Sequence, residues 1–177
     1  MNAQNIIGTN ESDILLGTEA GERIDALSGN DNISGLGGND DLRGGLGIDT
    51  ILGGAGRDTL TGTGSGEFIP ERDFLEGGTG SDTIRTGAND VLVFGADIFQ
   101  DGVHDNDLVQ NFSGGRLGTP ATQVDFSGFL GAGGSVTSVE QIGNDFSGEV
   151  VVGLNSGDTI TVTGNLEAAQ TAFEAFL

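Results

Sequence analysis

An acidic side chain recurs at every ninth residue in the first third of this chain, at Asp13, Glu22, Asp31, Asp40, Asp49 and Asp58. Two residues after each stands an aliphatic one: Leu15, Ile24, Ile33, Leu42, Ile51 and Leu60. Carboxylates at a constant interval can serve general acid–base chemistry or bind cations. Their neighbours favour the second use. Position one of each nonapeptide is Gly8, Gly17, Ala26, Gly35, Gly44 and Gly53, and position four becomes Gly29, Gly38, Gly47 and Gly56. Glycine permits φ > 0 and close approach, so such turns can offer backbone carbonyls beside the carboxylates. Calcium takes about six to eight oxygen donors at about 2.3–2.6 Å, which suits this mixture, whereas magnesium demands a tight octahedron and sheds water reluctantly.

These acids need a scaffold that stacks them. In Thr50-Ile51-Leu52 and Thr59-Leu60-Thr61 the alternation puts one aliphatic side chain inside and its neighbours outside. Six residues per repeat remain for a turn, so two nonapeptides make one coil of two short strands and two turns. Strands then stack in parallel ladders about 4.8 Å apart around a thin aliphatic column. Repeats two apart lie one above the other, which aligns Asp13, Asp31, Asp49, Asp73 and Asp90 on one edge and Glu22, Asp40, Asp58 and Asp82 on the other. Like charges so stacked repel when bare, and the metal-free chain is expected to be poorly folded.

The register breaks after Leu60 for one longer repeat with Phe68, Ile69, Pro70 and Glu71, expected as a surface excursion over residues 62–72. It resumes at Asp73-Phe74-Leu75, at the Gly77-Gly78-Thr79-Gly80 turn leading to Asp82-Thr83-Ile84, and at Asn89-Asp90-Val91-Leu92. Gly44-Gly45-Leu46-Gly47-Ile48-Asp49-Thr50-Ile51-Leu52 and Gly53-Gly54-Ala55-Gly56-Arg57-Asp58-Thr59-Leu60-Thr61 resemble the Gly-Gly-x-Gly-x-Asp-x-aliphatic-x repeats of the repeats-in-toxin (RTX, hemolysin-type) family. That resemblance implies ions held between successive turns on one edge, by aspartates of both turns and by turn carbonyls. Carried onto this chain, the pairs are Asp31 with Asp49, Asp40 with Asp58, Asp49 with Asp73, and Asp58 with Asp82. Asp13 with Asp31, Glu22 with Asp40, and Asp73 with Asp90 follow at the ends, where Glu22 is longer than Asp and Glu11 and Ala20 stand at position four. The carbonyl-bearing glycines are Gly29, Gly35, Gly38, Gly44, Gly47, Gly53, Gly56, Gly77 and Gly80, and roughly four to seven ions are expected.

Past Leu92 the text turns strand-like, at Gln123-Val124-Asp125-Phe126, Val136-Thr137-Ser138-Val139, Val150-Val151-Val152 and Thr159-Ile160-Thr161-Val162-Thr163, with a hairpin turn at Asn155-Ser156-Gly157-Asp158. Together with Asp107-Leu108-Val109-Gln110-Asn111-Phe112 this resembles the C-terminal region of RTX proteins exported by type I secretion, although Asn111 stands where Asp is usual and 113–121 reads as an unshared loop. The tail from Leu166 to Leu177 places Leu166, Ala169, Phe173, Phe176 and Leu177 on one helical face, which suits either a docked terminal helix or the uncleaved secretion signal of that pathway. The expected fold is therefore all-β: a calcium-loaded parallel β-roll of nonapeptide repeats over residues 1–94, then a β-rich cap with a short terminal helix over 95–177. The resemblance implies a secreted protein, extracellular or on a cell surface, with the type I secretion machinery as its partner during export.

Composition narrows the function classes. Acidic residues number 27 against 6 basic ones, all Arg, and the formal net charge of −21 repels nucleic acid and anionic lipid. A Gly count of 34 with only 2 Pro, lacking a period of three, excludes collagen, and with no Cys neither disulfides nor thiolate sites are available. No basic, apolar leader opens the sequence, and no stretch has the length of a membrane span. A disordered acidic linker has no need of a nine-residue aliphatic register, and no strand–loop–helix unit surrounds the glycines as a dinucleotide site requires. His104 is the single histidine, beside Asp101, Asp105 and Asp107, but Lys, Tyr, Trp and Cys are all absent and the segment lacks the EF-hand spacing, which leaves Asp105 and Asp107 as candidates for a further calcium ion. The sequence thus reads as a non-enzyme: a calcium-folded structural module or, alternatively, a calcium-dependent module for polysaccharide or a cell surface.

Overall fold

A computed structural model describes residues 4–63, 71–87, 89–95, 106–112, 123–142 and 149–177. The nonapeptides form β1 (Asn5–Ile7), β2 (Ile14–Leu16), β3 (Arg23–Asp25), β4 (Asn32–Gly37), β5 (Asp41–Gly45), β6 (Thr50–Ala55), β7 (Thr59–Thr63), β8 (Phe74–Thr79), β9 (Thr83–Arg85) and β10 (Val91–Val93). Odd-numbered strands stack in one sheet and even-numbered strands in the other, all in parallel. Equivalent aliphatics pair directly, Ile24 with Leu42 and Leu42 with Leu60 in one ladder, Ile33 with Ile51 and Ile51 with Leu75 in the other. The register survives the longer repeat, with Thr50 opposite Phe74 and Thr59 opposite Thr83.

The strands differ in length from the three-residue expectation. β4 and β6 each hold 6 residues and run on through the aliphatic position into the next turn. In β4 the inward positions are Ile33, Gly35 and Gly37, so glycines extend the inner face where a hydrophobic pattern shows nothing. Ile6, nine residues before Leu15, starts the column one strand earlier and pairs with Ile24.

Stacking continues beyond the repeats. β11 (Asn106–Phe112) pairs parallel with β9, and β12 (Gln123–Asp125) pairs parallel with β10. β13 (Val136–Ile142), β14 (Glu149–Leu154) and β15 (Thr159–Gly164) form an antiparallel unit whose β15 joins β11 in parallel, completing a nine-stranded sheet. The turn between β14 and β15 lies at residues 155–158, with Gly157 at φ 98°. A short α1 (Ser127–Gly131) follows β12, and the terminal α2 (Leu166–Glu174) buries Ala169 and Phe173. Phe126 stacks on Phe94 at 4.8 Å and meets Phe173 and Phe176 edge-on at 5.7 and 4.9 Å, which closes the aliphatic column with an aromatic plug. Leu177, expected on the apolar face, lies past the helix end and is 67% exposed. Among the described residues, no helix is long and apolar enough to cross a membrane. Phe68, Ile69 and Pro70, His104 with Asp101 and Asp105, and the 113–121 loop lie outside the described residues.

Candidate metal centres on the two edges

Each turn ends at its acid, and the acids form two hydrogen-bonded ladders. On one edge the backbone N–H of Asp13 donates to Asp31 Oδ1 (2.8 Å), Asp31 to Asp49 (2.9 Å), Asp49 to Asp73 (2.9 Å) and Asp73 to Asp90 (3.3 Å). On the other, Glu22 donates to Asp40 (2.6 Å), Asp40 to Asp58 (2.8 Å), Asp58 to Asp82 (2.8 Å) and Asp82 to Asp107 (2.9 Å). All nine acids singled out by their spacing are thus in the two columns. Asp107, a candidate for a further ion outside the nine-residue period, is a tenth member and joins the column of Glu22, Asp40, Asp58 and Asp82. It stands 25 residues beyond Asp82, where the period is lost, yet it keeps the acid-x-aliphatic signature with Val109.

One carboxylate oxygen serves the backbone, and the other is the one of interest. At Asp31, Asp40, Asp49 and Asp58 the Oδ2 atom is buried and meets no hydrogen-bond donor. The end repeats differ: Asp13 accepts from Thr9 N (2.6 Å), Glu22 from Thr18 N and Oγ1 (2.8 and 2.7 Å), and Asp90 from Gly87 N (2.6 Å). The demand for a cation is therefore strongest in the middle coils.

The glycines divide by role. At position one, Gly35, Gly44, Gly53 and Gly77 press against Oδ2 of their own repeat's acid, Asp40, Asp49, Asp58 and Asp82, and a Cβ would collide with it. At position four, Gly29, Gly38, Gly47, Gly56 and Gly80 have positive φ. Gly47, Gly56 and Gly80 also sit directly over the carbonyls of Gly29, Gly38 and Gly56, again leaving no space for a Cβ. Position two has positive φ as well, at Gly45, Gly54 and Gly78 and also at Leu27 (75°) and Leu36 (72°), which their residue types did not suggest.

Burial dominates the electrostatics. It pushes the Asp49 carboxyl up to about 7, reinforced by the charges of Asp73, Asp31 and Glu71 and only partly offset by the Asp31 N–H. Asp58 is pushed up to about 6 by burial with Asp40 beside it, and Asp90 to about 7 by burial with Asp73 and Glu71 nearby. Asp31 and Asp40 are raised for the same leading reason. Among the described arginines, Arg43 pairs with Asp41 on the outer face, Arg85 binds Gln110, and Arg72 binds Gln123 and covers the Phe74 ring. Buried carboxylate oxygens without donors, beside tightly stacked turn carbonyls, fit a hard dication that accepts oxygen ligands. Among the described residues no three or more carboxylate or imidazole side chains gather into a metal cluster. Each level of the described coils brings together two acids and the backbone carbonyls of the turns.

The sequence matches the model of the RTX calcium-binding nonapeptide repeat in 4 copies, over residues 7–42, 16–51, 43–65 and 71–99. No curated protein matches the chain.

Proposed function

The chain belongs, over residues 7–99, to the family of RTX calcium-binding nonapeptide repeats, and on that premise we propose that it is a secreted, non-catalytic module that folds on calcium after type I export and stabilises itself or a linked partner. In this reading residues 1–94 are the calcium-binding roll and residues 95–177 the cap and secretion-signal region. The observation that carries it is the set of buried, donor-less Oδ2 atoms of Asp31, Asp40, Asp49 and Asp58. The pairs Asp31–Asp49, Asp40–Asp58, Asp49–Asp73 and Asp58–Asp82 would hold the ions, with Asp13, Glu22, Asp90 and Asp107 extending the columns and the position-one and position-four glycines supplying carbonyls. Calcium would provide the positive charge and high oxygen coordination that the columns lack. Export through a cytosol poor in free calcium would keep the roll open, and an extracellular supply would close it.

Far-UV circular dichroism during a calcium titration tests this, with magnesium as control. We expect β structure to appear with calcium and hardly at all with magnesium. A chain already β-rich in chelator overturns the folding claim.

A second reading, calcium-dependent binding of polysaccharide or a cell surface, draws support from an open cleft of about 340 Å³ on the outer face of the even-numbered sheet, lined by Thr50, Leu52, Phe74, Glu76 and Val93. Screening glycans with and without calcium separates it from the first reading.

A further inference from the structure

In three turns the position-four N–H donates to a carbonyl of the adjacent coil: Gly29 to Leu46 (2.8 Å), Gly38 to Ala55 (2.8 Å) and Gly56 to Thr79 (2.9 Å). Gly47 is different. Its N–H donates to a side chain, Oε2 of Glu71, at 2.8 Å. Glu71 belongs to the longer repeat and stands two residues before Asp73, where the matching turns have Gly29, Gly38, Gly47, Gly56 or Gly80. A neutral carbonyl is thus replaced by a carboxylate at one level of one edge.

That level holds the Asp49–Asp73 pair, bonded through Asp49 N and Asp73 Oδ1 at 2.9 Å. Asp49 is 0% exposed and its Oδ2 meets no donor. Glu71 is one of the charges that raise both Asp49 and Asp90, and neither Asp40 nor Asp58, on the opposite edge, has a third carboxylate of this kind acting on it. Calcium affinity in oxygen sites follows the number of charged groups and the rigidity of the turn, and Glu71 increases the first while its bond to Gly47 supports the second.

We propose that Glu71 sets the affinity of one calcium site: its carboxylate adds a third negative charge to the Asp49–Asp73 pair, so that the ion held there is the last to leave the roll. The inference rests on the calcium-binding reading above. Glu71 acts through charge and through its grip on the Gly47 turn, and the longer repeat is the device that brings it there.

The decisive variant is Glu71→Gln in the full chain, because glutamine keeps an oxygen acceptor for Gly47 N–H and removes only the charge. Bound calcium is counted as a competing chelator lowers free calcium. In Glu71→Gln the last ion should leave at a free calcium concentration roughly 10- to 100-fold higher than in the unaltered chain, and Glu71→Asp should recover most of the difference. Release from Glu71→Gln that coincides with the unaltered chain overturns the proposal. So does a shift that Glu71→Asp fails to reduce, since that marks a packing role for the side chain. If the unaltered chain bound no calcium, the parent reading would fail first and this one with it; normal binding with an unaffected Glu71→Gln defeats this inference alone.

Discussion

At the scale of the residue, the roll is a place where acids are held against their own preference. A carboxyl whose folded pKa lies above its unfolded value stabilises the fold in its protonated form. For Asp49, raised from 3.8 to about 7, that contribution is complete below about pH 3.8 and is lost as pH climbs through about 7; Asp58 follows through about 6. In chelator, the β signal in circular dichroism should therefore grow as pH falls from about 8 to about 4. With calcium present the dependence should reverse in this window, because protons compete with the ion for the same oxygens and the midpoint calcium concentration rises as pH drops. A metal-free chain equally unfolded at both ends of that range would contradict the assignment of Asp49 and Asp58 as buried, uncompensated acids. These residues were legible in the sequence because a nonapeptide period needs no long-range information. Asp107 was legible only as a candidate beside Asp105 and without a place in either column, since the segment before it breaks the period and only the pairing with β9 shows its level.

At the scale of the element, the turns decide how closely coils stack, and their glycines are not equivalent. Gly56 has φ 137° and lies against the Gly38 carbonyl, so Gly56→Ala brings both a disfavoured backbone and a collision with an atom that cannot move aside. We expect a loss of about 2–4 kcal/mol in the calcium-loaded chain, measured by denaturant unfolding. Leu36 makes the opposite case. It sits at φ 72° with its side chain 41% exposed, so Leu36→Gly relieves a left-handed leucine and gives up little packing. The expected gain is about 0.5–1 kcal/mol, after allowing for the greater freedom of glycine in the unfolded chain. A loss of stability in Leu36→Gly would mean that the exposed leucine packs more firmly than its area suggests. The coil was readable from the aliphatic spacing, but the strand ends were not: inward Gly35 and Gly37 lengthen β4 without leaving a hydrophobic mark. Ile6 was overlooked because no acid precedes it at the usual place, where Gln4 stands.

At the scale of the whole molecule, the two ends of the roll are unlike. In β2 the outward-facing Ile14 and Leu16 are 86% and 60% exposed, while Ile6 and Leu15 pack, partly buried, against the column. At the other end Phe94, Phe126 and Phe173 are all buried, and β11 carries the odd-numbered sheet into β15 and β14. That joint depends on pairing between segments some fifty residues apart, such as Asn106 with Thr159, which no local pattern announces. In a stacked array each coil is stabilised mainly by its neighbours, so the coils beside a well-packed aromatic plug support those further away. The aromatic plug should accordingly act as the seed from which calcium-driven order spreads toward β1. Phe173→Ala removes a ring that is 0% exposed and packs edge-on against Phe126, with an expected cost of about 3–5 kcal/mol. Because folding and binding are linked, that cost should appear as a higher calcium midpoint for the entire β signal, including the distant repeats. Leu16→Ser, on the outward face of β2, should leave the midpoint almost unchanged. Amide exchange in the calcium-loaded chain provides the spatial reading, with protection rising from β1 and β2 toward β9 and β11 and falling most near the plug in Phe173→Ala. A calcium midpoint in Phe173→Ala equal to that of the unaltered chain would show instead that the roll closes independently of what stands at its C-terminal end.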